Sequence, residues 1–189
     1  MDSSPSLDLI IGPMYSGKST EILRRLNIFA EMGLRVLFVN SHLDNRSDTV
    51  FSTHNRLLGK NINFDMKKIK CVSELIDMVS EYDIIGIDEA QMFQNLKDTV
   101  LELIETHKKK ILISGLNGDY LRRPFGDIIY LIPLCDTICK LNPFCEMCCR
   151  YNKKIVPALF SKRVVEKSGE IVVGSKETYI PVCRKCFHL

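Results

Sequence analysis

The chain has 189 residues, 46% of them hydrophobic and 26% charged, with a formal net charge of +3. Such values describe a soluble globular protein, long enough for a sizeable core in one domain with a small appendage. They give no electrostatic ground for a nucleic acid or an anionic membrane as partner. No apolar stretch reaches the roughly 20 residues of a membrane span, and the short polar segment Met1 to Ser6 is not a signal peptide, so a cytoplasmic protein is expected.

In chain order, Leu7 to Ile11 reads as a strand and Thr20 to Ala30 as a helix. Arg35 to Asn40 is a second strand. The polar stretch Ser41 to Asn63 has no clear period and reads as a long functional loop or hairpin. Cys71 to Glu81 reads as a helix with Leu75, Ile76 and Val79 on one face. Tyr82 to Asp88 is a third strand, and Leu96 to Lys108 an amphipathic helix with Val100, Leu103 and Ile104 inward. Lys110 to Gly115 is a fourth strand and Ile138 to Leu141 a fifth. Continuous apolar strands alternating with helices predict a parallel α/β sheet covered on both faces, and the segment GPMYSGKS between the first strand and helix makes it a P-loop NTPase-type sheet. Composition shifts near Pro143 to paired cysteines, Lys and Arg, and short β-like pieces at Ile171 to Val173 and Thr178 to Val182. The expected division is an ATP-binding α/β domain over 1–142 and a small zinc-binding domain over 143–189.

The chemistry begins between the first strand and helix. Gly12, Pro13, Met14, Tyr15, Ser16, Gly17, Lys18 and Ser19 fit the phosphate-loop pattern G-x-x-x-x-G-K-[ST] at every required position, in the strand–loop–helix setting it needs. The glycines let successive N–H groups point inward, and with the helix N-terminus these form an anion cradle. Lys18 reaches the β- and γ-phosphates and Ser19 ligates Mg²⁺, so the chain binds a nucleoside triphosphate. Asp88, at the end of the third strand, is placed to hold Mg²⁺ through water; its competing role is a helix cap. Glu89 follows at the carboxyl edge of the sheet, to take a proton from an attacking hydroxyl or to orient a water; its competing role is a solvated carboxylate.

Five of the eight cysteines lie between Cys135 and Cys149, and Cys183 and Cys186 close the chain. In a reducing compartment such pairing reads as metal binding rather than as disulfides. Cys145-x-x-Cys148 and Cys183-x-x-Cys186 together complete a four-sulfur structural Zn²⁺ site, with Cys149 leaving open which thiol of the first pair ligates. Cys71, Cys135 and Cys139 are expected to be buried small apolar residues. Lys153 and Lys154 read as a solvated face, and His42 and His54, in the polar loop, as structural.

Taken together these pieces resemble the type II (cellular-type) thymidine kinases. The resemblance runs from Leu7 to Cys186, through GPMYSGKSTEILRR, Asp44 to Arg46, Thr53-His54, IGIDEAQMF (Ile85 to Phe93), GLNGDYLRRPFG (Gly115 to Gly126), FSKR (Phe160 to Arg163) and VVGSKETYIPVCRKC. It implies transfer of the ATP γ-phosphate to the 5′-hydroxyl of thymidine, and of deoxyuridine, in nucleotide salvage. It makes Glu89 the base for the 5′-hydroxyl and sets Asp44, Arg46 and Gln91 with the phosphates and metal. Tyr120 stacks on the thymine ring, and Met14 and Leu116 line the base pocket. A lasso loop with Glu170, Ile171, Val172, Val173, Gly174 and Tyr179 closes over the base, with Arg163 nearby. It also implies a homotetramer, feedback by thymidine triphosphate, and neither nucleic acid nor membrane as partner. Two features depart from the family pattern: Tyr120 stands where Phe is more common, and the stretch from Cys148 to Phe160 is a few residues longer. The rival readings are a zinc-lidded nucleoside monophosphate kinase and a zinc-ribbon nucleic-acid-binding ATPase or switch, and the departure at Tyr120 leaves open a chain of this type with lost or changed base specificity. The first is disfavoured because the cysteines close the chain and Pro13-Met14-Tyr15 fill the loop, the second because no basic stripe is present.

Overall fold

The computed structural model describes residues 4–44, 62–165 and 178–189. Six parallel strands form one sheet: β1 (Ser6–Ile11), β2 (Val36–Ser41), β3 (Asp65–Ile69), β4 (Ile84–Ile87), β5 (Lys110–Gly115) and β6 (Thr137–Lys140), in spatial order β3-β2-β4-β5-β1-β6. Every neighbouring pair is parallel, so helical crossovers must cover both faces. Period-2 alternation along each strand divides the core accordingly. Ile10, Phe38, Ile84 and Leu112 face one side, where they meet Ile22, Leu23 and Leu26 of α1 (Lys18–Glu31). Leu9, Val39, Ile85 and Ile113 face the other, against Leu75 of α2 (Glu74–Met78), Val100 of α3 (Leu96–Leu101), and Ile128 and Leu131 of a 3-10 segment (Asp127–Leu134).

Several boundaries differ from the sequence expectation. The helix expected over Cys71 to Glu81 is α2 followed by a 3-10 turn, Val79–Glu81, and α3 loosens into a π turn at Glu102–Thr106. Strand β3, DMKKI, has no apolar run because it is the sheet edge, where lysines are tolerated and discourage further pairing. Cys71 is exposed, and Cys135 and Cys139 are half-buried, so the expected burial of these thiols is corrected. Cys71 lies in the turn before α2, outside any strand or helix, and Cys139 is on the edge strand β6.

The C-terminal part is built on an antiparallel pair, β7 (Phe160–Arg163) with β8 (Tyr179–Val182), and two short helices, α4 (Glu146–Asn152) and α5 (Arg184–Phe187). Strand β7 was not anticipated; β8 matches the expected Thr178 to Val182. Its own core is small: Val182, Ala158 and the cysteines Cys145, Cys148, Cys183 and Cys186.

Gly86 sets how closely α1 approaches the sheet. A Cβ there would lie 2.4 Å from Leu26 Cδ1, a side chain wholly buried on α1. Gly86→Ala is therefore expected to lower unfolding free energy by about 1–3 kcal/mol, as overpacking does. Adding Leu26→Ala should cost less in that background than in the parent, and denaturant unfolding of the four proteins measures the difference.

Candidate active site

The phosphate loop leaves β1 at Gly12, where the chain passes under the strand end of β6. A Cβ on Gly12 would sit 2.3 Å from the Leu141 carbonyl oxygen, so only glycine permits this approach. Gly17, at φ 86°, turns the loop into α1 and caps it without a side-chain hydrogen bond, which leaves the first N–H groups of the helix available to an anion. Lys18 is buried and its ammonium donates to the Pro13 carbonyl oxygen at 3.0 Å, folding back over the loop. The Ser16 hydroxyl is buried with no hydrogen-bond partner among the described residues. Met14 N–H donates to Ser161 Oγ at 2.9 Å, tying the loop to β7. Ser161 lies in the FSKR segment, but nothing in its residue type marked it as a loop contact.

Asp88 follows β4, two strands from β1, with β5 between. Its carboxylate is buried and accepts from the Ser114 hydroxyl at the end of β5, the Ser19 hydroxyl at the start of α1, and the Glu89 N–H at 2.9 Å. Burial, and secondly the neighbouring Glu89 charge, push its pKa up, while the hydroxyl and N–H donors oppose the shift. A cation beside Asp88 would relieve both penalties, and an oxygen donor pair of Asp88 and Ser19 suits a hard ion such as Mg²⁺. Asp44, after β2, is also buried; it accepts from Asn40 Nδ2 at 3.0 Å, and its carbonyl accepts from Lys68 Nζ at 2.9 Å. Arg46 and His54 lie outside the described residues, and His42 is exposed.

Glu89 takes the left-handed conformation, φ 50° and ψ 39°, which few non-glycine residues adopt without support. Its side chain is 7% exposed and accepts from Gln91 Nε2 at 2.6 Å. Gln91 Oε1 in turn accepts the Leu116 N–H at 2.9 Å. Gln91 thus stands between Glu89 and the segment after β5, a connection that its position in the sequence did not disclose.

That segment carries Leu116 and Tyr120, both half-buried. It is pinned by Asp119, whose Oδ1 accepts the Leu121 and Arg123 N–H groups at 2.8 Å each. The Arg163 guanidinium lies 3.7 Å from the Tyr120 ring centroid and donates to the Tyr179 hydroxyl at 3.0 Å. Arg163 therefore sits between the two aromatics, on the β7–β8 pair. Arg122 lies 4.3 Å from the Phe187 ring centroid and 5.6 Å from that of Phe160, a second cation–π link to the C-terminal part. A cleft opens between Pro13 of the phosphate loop, Asn117 to Asp119, and Phe160 and Ser161 of β7. Glu170, Ile171, Val172, Val173 and Gly174 lie outside the described residues.

Cys145 and Cys148 at the start of α4 meet Cys183 and Cys186 at the start of α5, with all four sulfurs within 4.8 Å of one another. Cys148 Sγ is 3.8 Å from Cys183 Sγ and 3.6 Å from Cys186 Sγ. Tetrahedral zinc with Zn–S bonds of about 2.3 Å needs sulfurs about 3.8 Å apart, so the donor set fits. A backbone N–H bond from Cys186 lowers the Cys183 thiol to about 7, and a hydrogen bond with Cys186 raises Cys148 to about 12. Cys149 is turned away, toward the Lys154 carbonyl at 3.5 Å, which resolves the ambiguity left by its adjacency.

Residues 5–187 match the family model described as thymidine kinase. The thymidine kinase of Amsacta moorei entomopoxvirus is 34% identical over 97% of this chain and 98% of its own length. That of Choristoneura fumiferana entomopoxvirus is 35% identical over 97% and 96%, and that of Vaccinia virus (strain Ankara) 33% over 96% of each. Similarity of that strength over nearly the whole chain means that the chain belongs to the thymidine kinase family.

Proposed function

We propose that the protein transfers the γ-phosphate of ATP to the 5′-hydroxyl of thymidine, and of deoxyuridine, to give the 5′-monophosphate for nucleotide salvage. The observation that carries this reading is the buried Glu89 carboxylate, oriented by Gln91 and set next to Asp88 and the phosphate loop. The loop N–H groups and Lys18 hold the triphosphate and offset charge that develops on its oxygens. Asp88 and Ser19 would hold Mg²⁺, which would supply positive charge to offset that of the triphosphate. The nucleoside 5′-hydroxyl donates to Glu89, which takes the proton as the oxygen attacks the γ-phosphorus and the bond from that phosphorus to the β-phosphate oxygen breaks, releasing ADP. Asp44 and Arg46 act near the phosphates.

Tyr120 stacks on the base, with Met14 and Leu116 lining the pocket. Tyr179, Arg163 and the lasso residues Glu170 to Gly174 close over it, and closure keeps water from the γ-phosphate. Zinc on the four cysteines braces that unit, residues 143–189, whose own core is too small to hold it. A homotetramer in the cytoplasm, subject to feedback by thymidine triphosphate, completes the proposal and rests on the family resemblance. No described helix is long and apolar enough to cross a membrane.

Phosphoryl transfer from labelled ATP with Mg²⁺ to a panel of nucleosides and monophosphates, with and without DNA, tests the reaction. Thymidine monophosphate is the expected main product, and DNA-dependent phosphate release without nucleoside product would reject it. Glu89→Gln is expected to lower kcat by about 10²–10⁴-fold, the range of general-base contributions, with ATP affinity nearly unchanged by equilibrium titration. Tyr120→Phe should keep thymidine KM within about 2-fold, whereas Tyr120→Ala should raise it by about 3- to 10-fold or more, because ring stacking contributes about 0.5–1.5 kcal/mol beyond burial. Metal analysis should find one zinc per chain in the four-cysteine site, and Cys183→Ser should lose it and lower the melting temperature.

A further inference from the structure

Gln91 is engaged at both ends of its amide. The assignment of those ends is forced by the partners: a backbone N–H can only donate and a carboxylate only accept, so Oε1 must face Leu116 and Nε2 must face Glu89. The side chain is 4% exposed, so neither bond competes with bulk water. Two glycines from separate segments close around it. A Cβ on Gly115 would lie 2.6 Å from Gln91 Oε1, and one on Gly126 would lie 2.4 Å from the Gln91 carbonyl oxygen. Gly126 is itself at φ 63°, a backbone that other residues adopt only with strain. The 3-10 turn Ala90–Met92 starts with Met92 N–H donating to the Glu89 carbonyl at 2.9 Å, which places Gln91 two residues beyond Glu89 on a rigid turn.

We infer that Gln91 is a positioning residue for phosphoryl transfer: its amide aims the Glu89 carboxylate and ties that aim to the Leu116 backbone at the nucleoside pocket. This inference rests on the proposed role of Glu89. Glu89 carries a flexible side chain on a left-handed backbone, and the Gln91 amide, itself anchored to the Leu116 N–H beyond β5, restrains its carboxylate. In place of the contact with phosphates and metal that the resemblance implies, Gln91 acts through Glu89. A pocket that seats the nucleoside through the Leu116 segment thereby presents it to a base fixed to the same segment.

The test compares Gln91→Met, which keeps length and burial but removes both bonds, with Gln91→Asn, which keeps the amide but is too short to reach both partners. Both are measured as full-length protein, alone and with Glu89→Gln, after unfolding midpoints and zinc content establish that each has folded. The expected result is a fall in kcat of up to about 100-fold, as for an ångström-scale misplacement of a reacting group, with ATP KM little changed. In the Glu89→Gln background the same substitutions should add almost nothing, because the group they aim is gone. Parent-like kcat in a folded variant, a loss confined to KM, or a full multiplicative loss on top of Glu89→Gln would each overturn the inference. Full turnover by Glu89→Gln alone would instead remove the base role of Glu89, and the role of Gln91 with it.

Discussion

A carboxylate buried at the carboxyl edge of the sheet is the constraint on which the site depends. Asp88 cannot be stripped of water without donors in place, and here they come from three separate elements: the end of β5, the start of α1 and the next peptide N–H. Each donor fixes one part of the site. Ser114 ties the end of β5 to the end of β4, Ser19 ties the first turn of α1 to the same carboxylate, and the Glu89 N–H bond accompanies that residue's left-handed turn. The phosphate loop is thus held from both ends, by β1 and by the carboxylate that its own helix must satisfy. Asp88 remains under-compensated even so, since burial and the Glu89 charge still raise its pKa. That imbalance supports the proposed placing of a cation beside Asp88.

The parts readable in the sequence are those whose physics is local. The strands β1, β2, β4 and β5 announce themselves because a parallel sheet buries both faces of its inner strands. The phosphate loop is a short motif whose glycines and lysine act within a few residues of one another. The cysteine pairs show through spacing alone, and the fold brings them together. What escaped is long-range or polar. Strand β3 has the composition of a solvated edge, and β7 is too short and too basic to carry a period. Ser161 becomes a loop contact only when β7 is laid against Met14. The resemblance sets Gln91 with the phosphates and metal, but nothing in its position announces its bond with the Leu116 N–H in the segment after β5. Cys71 shows the opposite failure, where a residue-type tendency toward burial was overruled by its place in an exposed turn.

The proposed nucleoside side of the site is held by cations on rings. Arg163 lies between Tyr120 and Tyr179, and Arg122 reaches across to Phe187 and Phe160. Guanidinium groups suit this task because they stack flat on aromatic faces while keeping their edges for hydrogen bonds. Arg163 uses both features at once. One face of Tyr120 is therefore already covered, which leaves a single ring face to meet a base. Phe187 directly follows Cys186, so whatever orders the cysteine cluster also orders the ring on which Arg122 rests.

The strand order has a consequence for how the protein comes into being. Strand β1 is the first to be synthesised, but its two neighbours are β5 and β6, with Ser6 paired to Lys110 and Ile11 to Lys140. On the ribosome β1 must therefore wait, unpaired and apolar, until more than a hundred further residues have emerged. The Leu141 carbonyl that crowds Gly12 arrives later still. The phosphate loop, encoded among the first twenty residues, is consequently one of the last features to acquire its walls, and a truncated nascent chain carries the motif without the cradle.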